Sequence, residues 1–96
     1  MDSRQLLYFR AVVDHGSFTH AAEALNMTQP SLSLSIRKLE KELNVQLLTR
    51  GRAGVKTTEA GVYLYSIASK VETLLSDATQ RISEIAEGAA GSVSIS

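Results

Sequence analysis

Gln29, Ser33 and Arg37 stand three to four residues apart, and their side chains could hydrogen-bond to a partner rich in donors and acceptors. Glutamine can give and accept on a base edge, serine can reach bases or phosphates, and arginine can grip phosphate or guanine through two parallel donors. This is the chemistry of recognition rather than of bond breaking. On a helix standing alone, the same face reads more readily as an ordinary solvated surface, and it is the neighbours that reverse this.

Leu32, Ile36, Leu39 and Leu43 recur at helical spacing and predict an apolar stripe on the same segment, opposite the polar flank. Thr28 can accept from the free amides of the first turn, and Pro30 falls where a missing N–H costs little. The expected helix therefore begins with Gln29 near its tip, and Leu34 and Lys38 lie beside the polar face.

Enzyme signals are weak. Ser35, Ile36, Arg37 and Lys38 match a serine-x-x-lysine spacing but lack its companion motifs. The glycines of the Gly51 to Thr57 stretch are too close together for a phosphate loop. His15 and His20 straddle a helix break with no partner placed to orient them. With no cysteine, disulfides and cysteine-based zinc sites are excluded, and two histidines alone make no metal site. No metal, cofactor or catalytic residue is expected.

The 96 residues, 44% of them hydrophobic, suit one small domain whose limited core makes pairing with a second copy plausible. No apolar run is long enough to span a bilayer, and a cytoplasmic protein is expected. The formal net charge is zero, but it is unevenly divided. Residues 1–57 hold eight Lys/Arg and five Asp/Glu, and residues 58–96 hold two and five, so the halves carry +3 and −3. The basic half contains the recognition candidate and should face a polyanion.

Along the chain, Asp2 to Asp14 reads as a first helix capped by Asp2 or Ser3, with Leu6, Phe9 and Val13 on one face, ending at Gly16. Ser17 opens a short second helix whose Phe18, Ala21, Ala22 and Leu25 face inward. The turn from Asn26 to Thr28 has the length of a helix-turn-helix connection. Val45, Leu47, Leu48 and Val55 around Arg50-Gly-Arg-Ala-Gly predict a hairpin with a basic tip. Taken alone it is a plain surface hairpin or a wing. Beside the helix, Arg50, Arg52 and Lys56 point to phosphate or minor-groove contact.

Thr58 caps a last helix, expected to run to Glu87 and so to span roughly 45 Å at 1.5 Å per residue. Ala60, Leu64, Ile67, Val71, Leu74, Ala78 and Ile85 follow a four-and-three pattern that predicts a partner, either a second copy or a following domain. Gly88-Ala-Ala-Gly91 is expected to break this helix, and Ser92 to Ser96 to begin a strand.

Gly16-Ser-Phe-Thr-His-Ala-Ala-Glu-Ala-Leu25, then Thr28-Gln-Pro-Ser-Leu-Ser33, Ile36, Leu39-Glu40, Leu43, and Thr58-Glu-Ala-Gly61 closely resemble, in order and spacing, the amino-terminal region of LysR-type transcriptional regulators. The resemblance covers residues 1 to about 91. It implies a mainly α fold, a winged helix-turn-helix followed by a long dimerising linker helix. The expected division is 1–57 for the DNA-binding domain, 58–87 for the linker, and 88–96 for a hinge and the first strand residues of an effector domain.

The function implied is sequence-specific binding of double-stranded DNA in bacterial transcription regulation, without catalysis. The expected DNA contacts are Thr28, Gln29, Pro30, Ser31, Ser33, Leu34, Arg37, Lys38, Arg50, Arg52 and Lys56. The resemblance itself places Gln29, Pro30 and Ser33 at the groove-reading end and Arg52 on the wing. Leu34 stands where many members carry a polar residue, and so suggests contact with a thymine methyl. Leu48 replaces a common phenylalanine. Homodimerisation is expected through Leu64, Ile67, Val71, Leu74, Ala78 and Ile85, with a tetramer open to the full-length protein. A small-molecule inducer would bind only the absent domain, and no membrane is involved.

Overall fold

The computed structural model describes the backbone of residues 1–95 and the side chains of residues 1–88. Its elements run α1 (Ser3–His15), α2 (Phe18–Ala24), α3 (Gln29–Leu43), β1 (Leu48–Gly51), β2 (Gly54–Thr57) and α4 (Glu59–Ile95). Each early helix begins on a side-chain cap. Asp2 and Gln5 form a reciprocal capping box, Ser17 accepts from the His20 amide, and Thr28 accepts from the Ser31 amide. Asn26 and Asn44 take the left-handed conformation after α2 and α3, as a short polar side chain permits.

Phe9, Val12, Phe18, Ala21, Ala22, Leu32, Ile36 and Leu39 form the core where α1, α2 and α3 meet, joined by Leu47, Leu48 and Leu64. Removing these side chains from water supplies the main driving force for the fold. The apolar stripe predicted for α3 is buried as far as Leu39, while Leu43 is partly exposed.

Strands β1 and β2 pair antiparallel, Leu48 opposite Thr57 and Gly51 opposite Gly54, leaving Arg52 and Ala53 at the tip. This wing is pinned to the helices by backbone alone at one point, where the Val55 amide donates to the Gly16 carbonyl at 3.3 Å. Gly54 has φ +109°, and a Cβ there would meet that same carbonyl oxygen at 2.9 Å.

The junction between wing and α4 is tighter still. The Thr58 amide donates to the Leu47 carbonyl at 3.0 Å. The Thr58 hydroxyl donates to the Gln46 carbonyl at 2.6 Å and accepts from the Gly61 amide at 3.1 Å. Glycine at 61 lets α4 cross directly over β1's entry, since a Cβ there would lie 2.2 Å from the Leu47 carbonyl oxygen.

Two expectations are corrected here. Leu64, assigned to a dimer seam, is 7% exposed and belongs to the core of the winged domain, together with buried Ala68. The first turns of α4 are therefore part of that domain, and a boundary at residue 57 would cut through its core. The helix also continues through Gly88 and Gly91 to Ile95 instead of breaking into a strand. Ala89 and Ala90 are strong helix formers, a glycine costs only about 1 kcal/mol against alanine, and the two-stranded sheet lies at the other end of the helix. Ser96 lies outside the described residues.

Gly61→Ala should destabilise the fold by about 1–3 kcal/mol, because the clash is with backbone and α4 must shift to relieve it. Urea denaturation of the variant beside the parent measures this, and equal midpoints would contradict the crossing.

Candidate nucleic-acid interface

On the outer side of α3, Pro30, Ser31, Leu34, Arg37 and Lys38 are exposed, and Gln29 is half-buried at the helix tip. Thr28 is exposed, and its hydroxyl donates to the Ser31 hydroxyl at 2.8 Å. Leu34 is the exception in type, an aliphatic side chain 53% exposed in the middle of this polar surface. Arg50, Arg52 and Lys56 are exposed on the adjoining wing. Arg37 of α3 and Arg50 of the wing line one groove together with Ser33 and Gln46.

Ser33 departs from the face expected for it. It is 9% exposed, and its hydroxyl accepts from the Arg50 guanidinium. The same guanidinium lies over the Phe18 ring, 3.9 Å from the centroid. Arg50 therefore joins three elements, with α2 beneath its flat face and α3 at its edge, while its own strand forms the wing. Stacking on an aromatic face adds electrostatic attraction to packing. The pair explains how a buried hydroxyl is satisfied inside α3.

Glu40 has a role that sequence reasoning missed. Its carboxylate accepts from the Leu47 amide at 2.7 Å and the Leu48 amide at 3.2 Å. A charged acceptor shared by two amides is a strong anchor. It ties the end of α3 to the start of the wing. Only its place in the Leu39-Glu40 pair hinted at a role, and the amides it meets lie in a loop that no helical pattern predicts.

A model of the bacterial regulatory helix-turn-helix proteins of the lysR family matches residues 3–62. The chain belongs to that family. It is 42% identical over 95 residues to the nitrogen assimilation regulatory protein nac of Escherichia coli (strain K12), covering 99% of this chain and 31% of nac. To the HTH-type transcriptional regulator BenM of Acinetobacter baylyi it is 49% identical over 83 residues, covering 86% of this chain and 26% of BenM. This lysR-family chain therefore spans less than a third of the length of these curated relatives. The crystal structure of a BenM DBD/catB site 1 DNA complex superposes with a TM-score of 0.85 at 44% identity, over 90% of this chain and 97% of that one.

Within this lysR-family domain, Ser33→Ala and Arg50→Met should each destabilise by about 1.5–3 kcal/mol, the range for a hydrogen bond to a charged group. The double variant should lose clearly less than the sum, because either change breaks the same contact. A double-mutant cycle by urea denaturation checks this, and additive losses would mean that the two side chains act independently.

Proposed function

We propose that this chain is the DNA-reading part of a transcriptional regulator, with α3 lying in the major groove of double-stranded DNA and the wing closing on the flanking backbone. The observation that carries the reading is the set of exposed cations, Arg37 and Lys38 on α3 and Arg52 and Lys56 on the wing, on the two elements that Arg50 joins. The same helix carries Gln29 at its tip, able to hydrogen-bond to base edges. Likeness to a BenM domain solved with DNA supports the same reading. In this reading Thr28, Gln29, Pro30, Ser31 and Leu34 meet the bases and nearby sugar-phosphate. Arg37, Lys38, Arg52 and Lys56 meet phosphates, while Ser33 and Arg50 hold the wing in place from behind. Leu34 supplies apolar contact for a thymine methyl. The function is binding, with no reaction catalysed, in the cytoplasm of a bacterial cell.

The second half of the proposal is a homodimer joined along α4. From Glu72 to Gly88 every side chain of α4 is exposed, and Leu74, Leu75, Ile82 and Ile85 among them lie 59–67% open. With Ala78 they continue the stripe that begins at Leu64, and half-buried Ile67 and Val71 lead into it. A row of large apolar side chains facing water marks a contact surface. Residues 88–96 then lead towards an inducer-binding domain in a longer protein, through which dimers could assemble into tetramers. Nac and BenM, more than three times as long as the matched region, support this arrangement.

Gln29→Ala should lower the preference for a selected duplex over a scrambled one by about 1–3 kcal/mol of discrimination and leave the scrambled affinity nearly unchanged. Arg52→Ala should weaken both duplexes alike and reduce the slope of log affinity against log salt by about one. Titrations of both variants over a salt series separate these roles. An unchanged ratio for Gln29→Ala would remove that residue from base readout.

Leu74→Asp with Ile82→Asp should dissociate the dimer at micromolar concentration without unfolding the winged domain. Both positions are open to water in the single chain, so the added charge costs energy only where a partner covers it. Sedimentation with circular dichroism tests this, and a variant still dimeric would exclude this stripe from the interface.

A further inference from the structure

Arg10 joins α1 to α4 through a small polar network. Its side chain is 26% exposed, and its guanidinium pairs with the Glu72 carboxylate of α4. Its Nε atom is buried without a hydrogen bond, 3.5 Å from the Asp14 carboxylate one turn along α1. The other oxygen of Asp14 accepts from the Tyr65 hydroxyl, again from α4. Two residues of α1 are thus tied to α4 at two points seven residues apart, roughly 10 Å along the helix.

This network sits where α4 leaves the body of the domain. Among the described side chains the last buried one of the helix is Ala68, and from Glu72 to Gly88 its side chains are exposed. An apolar line of contact such as Leu64 and Ala68 against α1 resists separation but offers little directional resistance to rocking. Directional bonds at two separated points resist the tilt. Isolated exposed ion pairs contribute little stability, so a fork-shaped cation held between two carboxylates matters here chiefly for its geometry.

We infer that Arg10 is a positioning residue that sets the angle of α4 on the winged domain, and thereby the separation at which two recognition helices of an α4-joined dimer meet DNA. The second clause rests on the proposed DNA-binding dimer, whereas the first does not. The helix extends 23 residues past Glu72 to Ile95, a lever of roughly 35 Å. A tilt of about 10° at its base moves the far end by roughly 6 Å.

The absence of native cysteine allows spin labels to be placed cleanly at Glu23→Cys on α2 and Ser83→Cys on α4. Electron–electron distance measurements, with labelled chain diluted in unlabelled chain, should give a narrow distribution for the parent. Arg10→Met and Glu72→Gln should each broaden it about twofold. Glu72 is 58% exposed, so its variant does not threaten folding, and circular dichroism melts check both. Distributions matching the parent in both variants would overturn the joint.

The DNA arm uses a duplex selected from a random pool by the parent, with base pairs then inserted between its two half-sites. The parent should prefer its selected spacing over one two base pairs longer by at least about tenfold, and Arg10→Met should reduce this to within about threefold. Affinity for a single half-site should stay unchanged. A broadened distribution with an intact spacing preference would overturn the link to half-site separation. If the parent binds no duplex at all, the DNA-binding reading fails, and the distance measurement still decides the joint.

Discussion

The close crossing of α4 over the entry to the wing is the constraint on which the rest of the domain depends. Gly61 brings the helix backbone against the Leu47 carbonyl, and Thr58 bonds the same loop through its amide and hydroxyl. From the other side, the Glu40 carboxylate of α3 holds the Leu47 and Leu48 amides. Three elements therefore meet on two residues, whose side chains are buried in the core while their backbone polar groups are satisfied by the neighbours. The wing has only two short strands, too few to be stable alone, and it owes its position to this junction.

Once the wing is held, charge placement follows from which groups are committed internally. The net charge is zero, yet Arg37, Lys38, Arg52 and Lys56 are exposed on α3 and the wing, while one oxygen of Glu40 is occupied by two amides. Arg50 is exposed as a residue, yet its guanidinium is held by Phe18 and Ser33. A surface potential depends on such placement more than on the sum of charges.

Helix α4 serves two different environments along one apolar stripe. Near its start, Leu64 and Ala68 bury against the domain, and beyond Glu72 the stripe continues into solvent. A helix of 37 residues, roughly 55 Å long, is far longer than this small core can cover. Its unpaired length is what gives a small change of angle at Arg10 a large consequence at the far end.

Caps, apolar spacing and turn residues act over a few neighbours, so the sequence specifies where the helices begin and which turns separate them, though not how far α4 runs. Asp2, Ser17 and Thr28 start their helices, Asn26 closes α2, and the basic hairpin forms around Arg52 as its residues predict. Its ordered motifs also carried the family. Tertiary structure alone decided which periodic residues are inside. Ser33 lies on a polar flank of its helix, yet Arg50, 17 residues away, covers it. Leu64 fits a partner-seeking repeat but is consumed by the domain's own core. Glu40 and Arg10 look like ordinary surface charges until the loop at Leu47 and the helix at Glu72 are brought beside them. Local pattern defines a helix face, whereas what occupies the space opposite that face depends on contacts between residues distant in the chain, which periodicity does not encode.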